Sequence, residues 1–144
     1  MYIPEIPNNS LNSSIKEIVK LSEKLCNDYS FEYAPPLSKK EIKKIEEEFN
    51  FSLPESYKEW LSFTSCAEIC GSIAHFYDIR KTLSNSLLSY NDTIIIGDII
   101  GDGEVICVSK SSKTLFTENH GDICEVDDLN EILDEIIEQL LYRL

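Results

Sequence analysis

The sequence predicts an α+β domain with a central, mainly antiparallel sheet flanked by helices. Apolar residues recur at helical spacing through roughly the first 65 positions. From Cys66 the period shortens, and β-branched segments separated by turn residues take over. A single apolar stripe at helical spacing then closes the chain. Helices first, strands next and a helix last is the order of an α+β fold, not of alternating βα units.

Taken in order, residues 1–12 read as an irregular arm, broken by Pro4, Pro7 and Asn8-Asn9. A helix is expected over residues 14–28. Ser14 and Glu17 have capping-box spacing, and Ile15, Ile18, Val19, Ser22, Leu25 and Cys26 share one face. Pro35-Pro36 forces an extended connector. Ser38 and Glu41 form the next capping box, with Leu37 and Ile42 as its hydrophobic staple and Asn50 as a left-handed stop. Pro54 suits the first position of a third helix, in which Tyr57, Trp60, Leu61 and Thr64 lie on one side.

Strands are expected over residues 68–73, 74–77, 93–100, 104–109, 114–117 and 123–126. The break Gly101-Asp102-Gly103 marks an antiparallel hairpin, because its glycines allow positive φ and its aspartate tolerates it. The polar segment 80–92 reads as a loop with a helical turn at 83–88. Asp127 or Asp128 caps the last helix, whose stripe is Leu129, Ile132, Leu133, Ile136, Ile137, Leu140 and Leu144. Burying that stripe contributes on the order of 10 kcal/mol gross, before the entropy of ordering the chain.

With 144 residues, 42% hydrophobic and 27% charged, the chain fits one domain, 1–144, with a core of its own. No apolar run approaches the length of a membrane span, and the N-terminus has neither the basic flank nor the apolar stretch of a secretory leader, which points to the cytoplasm. Five cysteines, an odd count without a Cys-x-x-Cys, read as reduced structural thiols. The formal net charge is −13, and it is uneven. Residues 1–81 carry ten Lys and Arg against thirteen Asp and Glu; residues 82–144 carry three against thirteen. Such a field repels phosphate backbones and anionic membranes and attracts a basic protein.

No catalytic constellation stands out. His75 sits in a strand pattern and His120 in a turn. Asp98, Asp102 and Glu104 offer oxygens to a divalent cation, but their spacing matches neither an EF-hand nor a dinucleotide fingerprint, and turn chemistry accounts for the glycines. The last helix carries like-charge pairs, Glu131 with Glu135 and Asp134 with Glu138, each costing about 0.2–0.5 kcal/mol. Either solubility or a basic partner has to account for them.

The segment from Leu37 to Leu61 resembles the N-terminal signature of the SUKH superfamily. The matching residues are Ile45-Glu46, Leu53-Pro54, Tyr57 and Trp60-Leu61. Ile96-Gly97-Asp98 and Gly101-Asp102-Gly103-Glu104-Val105-Ile106-Cys107-Val108 look like the family's central hairpin, and the helix over 129–140 also fits. The resemblance covers residues 37–140; one departure is Thr64-Ser65-Cys66-Ala67-Glu68, where many relatives have an Asn-Gly-Gly-like turn. It implies a SUKH-like α+β fold without a shared catalytic set. Bacterial members look chiefly like immunity proteins that neutralise toxins, many of them nucleases, and fungal members like regulators of cell-wall assembly.

The resulting expectation is a non-enzymatic cytoplasmic immunity protein, monomeric or weakly dimeric, that binds a basic cognate toxin domain and needs no cofactor. It binds neither nucleic acid nor membrane directly. The candidate partner-binding residues are Asp98, Asp102, Glu104, Glu118, Asp122, Glu131, Glu135 and Glu138. A regulatory or scaffold module is the alternative, and a metal site or enzyme built on Asp98, Asp102 and Glu104 ranks third.

Overall fold

The computed structural model describes residues 1–99 and 103–144. Its helices are α1 (Asn12–Leu25), α2 (Lys39–Phe49), α3 (Glu55–Leu61), α4 (Ile79–Leu83) and α5 (Leu129–Leu141). Its strands are β1 (Glu32–Tyr33), β2 (Ala67–Ile69), β3 (Ala74–Phe76), β4 (Ser89–Tyr90), β5 (Thr93–Ile99), β6 (Glu104–Ser109), β7 (Leu115–Asn119) and β8 (Asp122–Val126). The strands form one antiparallel sheet in the order β1-β2-β3-β5-β6-β7-β8, with β4 beside the first half of β5. The expected α+β class holds.

The helix signals act as their chemistry requires. Ser38 accepts from the Glu41 N–H and Glu41 answers to the Ser38 N–H, completing the capping box, and Asn50 ends α2 at φ 55. The Glu46 carboxylate accepts from the Leu53 N–H at 2.7 Å, which ties the Ile-Glu pair of α2 to the Leu-Pro that opens α3. Pro54 is the residue before α3, not its first. Asp128, of the two candidates, caps α5.

Four expectations are corrected. The first helix begins at Asn12 without a side-chain cap. Ser14 instead donates to Asn130 Oδ1 on α5, so its hydroxyl joins two helices. The segment expected as a loop with a helical turn at 83–88 keeps a turn there, where the Asn85 carbonyl accepts from the Leu88 and Ser89 N–H groups, but it also holds α4, because the Asp78 side chain accepts from the Arg80 and Lys81 N–H groups. Two-residue strands, β1 and β4, pair where no strand was expected. Cys26 and Leu144 fall outside the buried stripes and are exposed. β5 and β6 pair antiparallel as expected; Gly101 and Asp102 of the expected turn lie outside the described residues.

The helices cover one face of the sheet. Ile94, Ile96, Ile99, Ile106, Val108 and Leu115 from the strands join Ile15, Ile18, Trp60, Ile132 and Ile136 in one cluster. The Trp60 and Phe76 rings lie 4.6 Å apart between α3 and β3. A register shift between Ile95 and Gly97 puts Ile96 and Gly97 on the covered side together. Gly97 is required there by close approach: a Cβ would lie 2.2 Å from the His75 carbonyl oxygen.

Two measurements check this packing. Gly97→Ala should lower the urea midpoint by an amount worth about 1–3 kcal/mol, through displaced β3–β5 pairing; an unchanged midpoint would contradict the contact. Burial pushes the Tyr33 phenol up to about 12, and the Tyr57 phenol also upward. Unfolded phenols ionise near about pH 10, so above that pH the unfolded chain holds fewer protons than the native one and stability falls as pH rises. Tyr33→Phe should make that alkaline decline shallower, as read from melting temperature against pH.

Candidate functional site

Because strand side chains alternate, the packing of isoleucines against the helices sends a second set to the other face. The register strings that set into rows. One row runs Glu32, Glu68, His75, Asp98, Val105, Glu118, Ile123, with each residue paired to the next across β1, β2, β3, β5, β6, β7 and β8. A second runs Ile95, Cys107, Phe116, Glu125. Five carboxylates stand in these rows, and no Lys or Arg does. Ile95, Val105 and Phe116, apolar as they are, stay partly exposed, and Ile123 is 64% exposed. No helical stripe covers them.

Polar contacts hold the β2–β3–β5 part of the face in place. Asp98 accepts from the Tyr77 hydroxyl at 2.5 Å through Oδ2, and its Oδ1 lies 2.9 Å from His75 Nδ1. His75 Nε2 faces Glu68 Oε1 at 3.9 Å, and Ser30 donates to the other Glu68 oxygen at 3.3 Å. Burial, and then the hydrogen bond and charge of Asp98, hold the Tyr77 phenol well above its ordinary value. Beside this chain lies a groove of about 850 Å³, lined by Tyr2, Glu32, Glu68, His75 and Tyr77 among others, with Lys81 of α4 at its wall. Cys107, between Ile95 and Phe116, is fully buried, and burial, then the Glu118 charge, pushes its thiol up to about 12. Cys66 at the groove is raised by burial and then by Asp78.

These groups keep their protons at neutral pH. Tyr77 is therefore a donor locked onto Asp98, and Cys107 is a thiol, not a thiolate nucleophile. What the face offers is carboxylate oxygens set among aliphatic and aromatic side chains. That is the chemistry of recognition: charge for steering and apolar surface for affinity.

The eight residues singled out from the sequence do not share one surface. Asp98 and Glu118 lie in the first row. Asp122 is exposed at the start of β8. Glu104 pairs with Ile99, whose side chain is buried, so it faces the helices; its Oε1 is shielded and without a partner among the described residues. Asp98 and Glu104 thus point to opposite faces and do not converge on one ion. Among the described residues no group of three His, Cys, Asp or Glu is placed to hold a metal. Asp102 lies outside the described residues. Glu131, Glu135 and Glu138 are exposed on α5, in the helical layer, and Glu131 Oε2 accepts from the Asp127 N–H at the entrance of that helix.

Sequence reasoning missed Glu32, Glu68 and Glu125 as members of the face. The local signal was present in Ala67-Glu68-Ile69 and Ala74-His75-Phe76, where one polar residue stands between two apolar ones. Strand order, which sets those residues side by side, was not. Among the described residues no helix is long and apolar enough to cross a membrane.

Residues 36–140 match the model of the SMI1 / KNR4 family (SUKH-1). No curated protein matches the chain.

Thiol accessibility tests the site's packing. At about pH 8, Cys26 and Cys124 should react with Ellman's reagent in the native protein, while Cys70 and Cys107 wait for unfolding. Rapid labelling of Cys107 would contradict its shielding between Ile95 and Phe116.

Proposed function

The chain belongs to the SMI1 / KNR4 family (SUKH-1), and from that premise we propose that it is an immunity protein, binding a cognate bacterial toxin domain and neutralising it by protein–protein contact without catalysis. One observation carries the reading: the sheet face turned away from the core, with five carboxylates and no Lys or Arg in rows that also present Ile95, Val105, Phe116 and Ile123. A face left uncovered by its own helices leaves apolar side chains for a partner to bury. Its charge selects a basic one. Toxins that cut nucleic acids need a basic groove for phosphates, and a row of carboxylates occupies such a groove in the phosphates' place.

The mechanism divides into two steps. Long-range attraction between the acidic face and a basic groove speeds encounter, an effect that weakens as salt shortens the Debye length. Affinity then comes from the few apolar side chains that lose their water on docking, with Phe116 and Ile123 as the most prominent. The Tyr77–Asp98–His75 contacts hold their part of the surface rigid, so less side-chain entropy is lost on binding.

Co-expression with the toxin encoded beside the gene tests the proposal. The wild-type chain should restore growth, and no better survival than an empty vector would sink the immunity reading. Glu68→Lys, Glu118→Lys and Glu125→Lys combined should abolish protection and slow association by about tenfold or more at low salt. The same reversal at Glu131, Glu135 and Glu138 should leave protection intact. The opposite pattern would move the interface to the helical layer.

A further inference from the structure

β8 ends the sheet, and among the described residues its outer edge is unpaired. The other end is the two-residue β1. β8 has five residues, four of them exposed. His120 and Gly121, at φ 53 and 90, make the two-residue turn that joins it to β7. Such a turn makes Asn119 and Asp122 the hydrogen-bonded pair beside it. Alternation along the ladder then turns the N–H and C=O of Ile123 and Glu125 away from β7. Those two residues are also the last members of the two rows on the open face.

Sheet edges are commonly protected by lysine, proline, a bulge or shortness. β8 contains neither lysine nor proline, pairs with β7 without a register shift, and exposes Ile123 at 64%. Its charges are Asp122 and Glu125, with Glu118 opposite Ile123. Carboxylates bar an acidic strand and admit a basic one. A second copy of this chain, at net −13, meets the repulsion in full.

The geometry points to β8 as a docking edge: an extended basic segment of the toxin adds to the sheet as a further strand, hydrogen-bonded to Ile123 and Glu125. The strand places an apolar side chain beside Ile123 and a Lys or Arg beside Glu125, two residues apart on one face. This rests on the immunity reading and states which backbone groups are engaged and what pattern the partner's strand carries. Main-chain hydrogen bonds supply affinity, and the alternating side chains supply choice.

The test uses the full chain and a defined probe. The probe is a capped synthetic peptide of alternating Lys and Val, with a control of the same sequence N-methylated on alternate residues to remove its edge-facing donors. With isotope-labelled protein, the plain peptide should shift and protect the Ile123 and Glu125 amides, and the control should bind about tenfold or more weakly, the cost of lost hydrogen bonds. Equal binding of the two, no binding of either, or shifts confined to Glu68 and Asp98 would overturn the edge. Ile123→Pro removes an outward N–H and no rung to β7, where proline is tolerated. It should lose the plain peptide and lose protection in co-expression. Protection by both wild type and Ile123→Pro would overturn the edge and leave the immunity reading standing; failure of the wild type alone to protect would strike that reading, and the peptide comparison would still decide the edge. A concentration-dependent dimer that Ile123→Pro abolishes would assign the edge to a second copy and overturn the basic segment as its occupant. If that variant fails to fold, the two peptides on the wild-type chain decide.

Discussion

The outer face depends on one extra residue in β5. Ile94 and Ile96 point at the helices, so strict alternation would bury Asp98 and expose Ile99. The shift between Ile95 and Gly97 reverses the parity: Ile96 and Gly97 share the covered side, Asp98 turns outward and Ile99 stays in the core. That reversal is what sets Asp98 between His75 and Val105 and makes the acidic row continuous from β1 to β8. Glycine is the residue at which this is sterically possible, because the His75 carbonyl occupies the space where a Cβ would stand. A backbone irregularity of one residue therefore decides which groups this face presents.

The rest of the architecture follows from covering only one side. Trp60, Phe63 and Phe76 pack ring against ring, and the stripe of α5 lies with α1 in the same cluster. Most of the apolar side of the helices goes into this cluster, although Leu141 at the end of α5 stays half exposed. Within the other face Cys107 is shielded while Ile95, Val105 and Phe116 stay partly exposed, and its rows carry Glu32 at one end and Ile123 and Glu125 at the other. The helical layer and the acidic face are thus separate, so substitutions on that face need not pass through the core.

Much of the fold was legible because its signals are local. Ser38, Glu41, Asn50 and Asp128 cap helices through groups a few residues away, and the stripe of α5 is a property of one segment. β1 and β4 were not legible, since two-residue strands exist only through the partner they pair with. Ser14 shows the same limit: it has the spacing of a cap, but a hydroxyl that finds Asn130 cannot be read from its neighbours. The acids of the candidate site were legible in the sequence, and their arrangement across the sheet was not. Acidity pointed to a basic partner, but it was charge counted along the chain, which groups Glu131 with Glu118. Cross-strand register instead groups Glu118 with Glu32, a residue 86 positions away, and places Glu104 behind the sheet.

The hydrogen bond from Ser14 to Asn130 joins positions 116 apart. The meander β5 to β8 is built from sequential hairpins and can pair as it leaves the ribosome, whereas α1 packs against the last helix of the chain. A chain made from its N-terminus therefore carries the apolar side of α1, with Ile15, Ile18 and Leu21, without its final partner until α5 has emerged. Folding of this domain is completed only when α1 meets α5, after every strand between them has emerged.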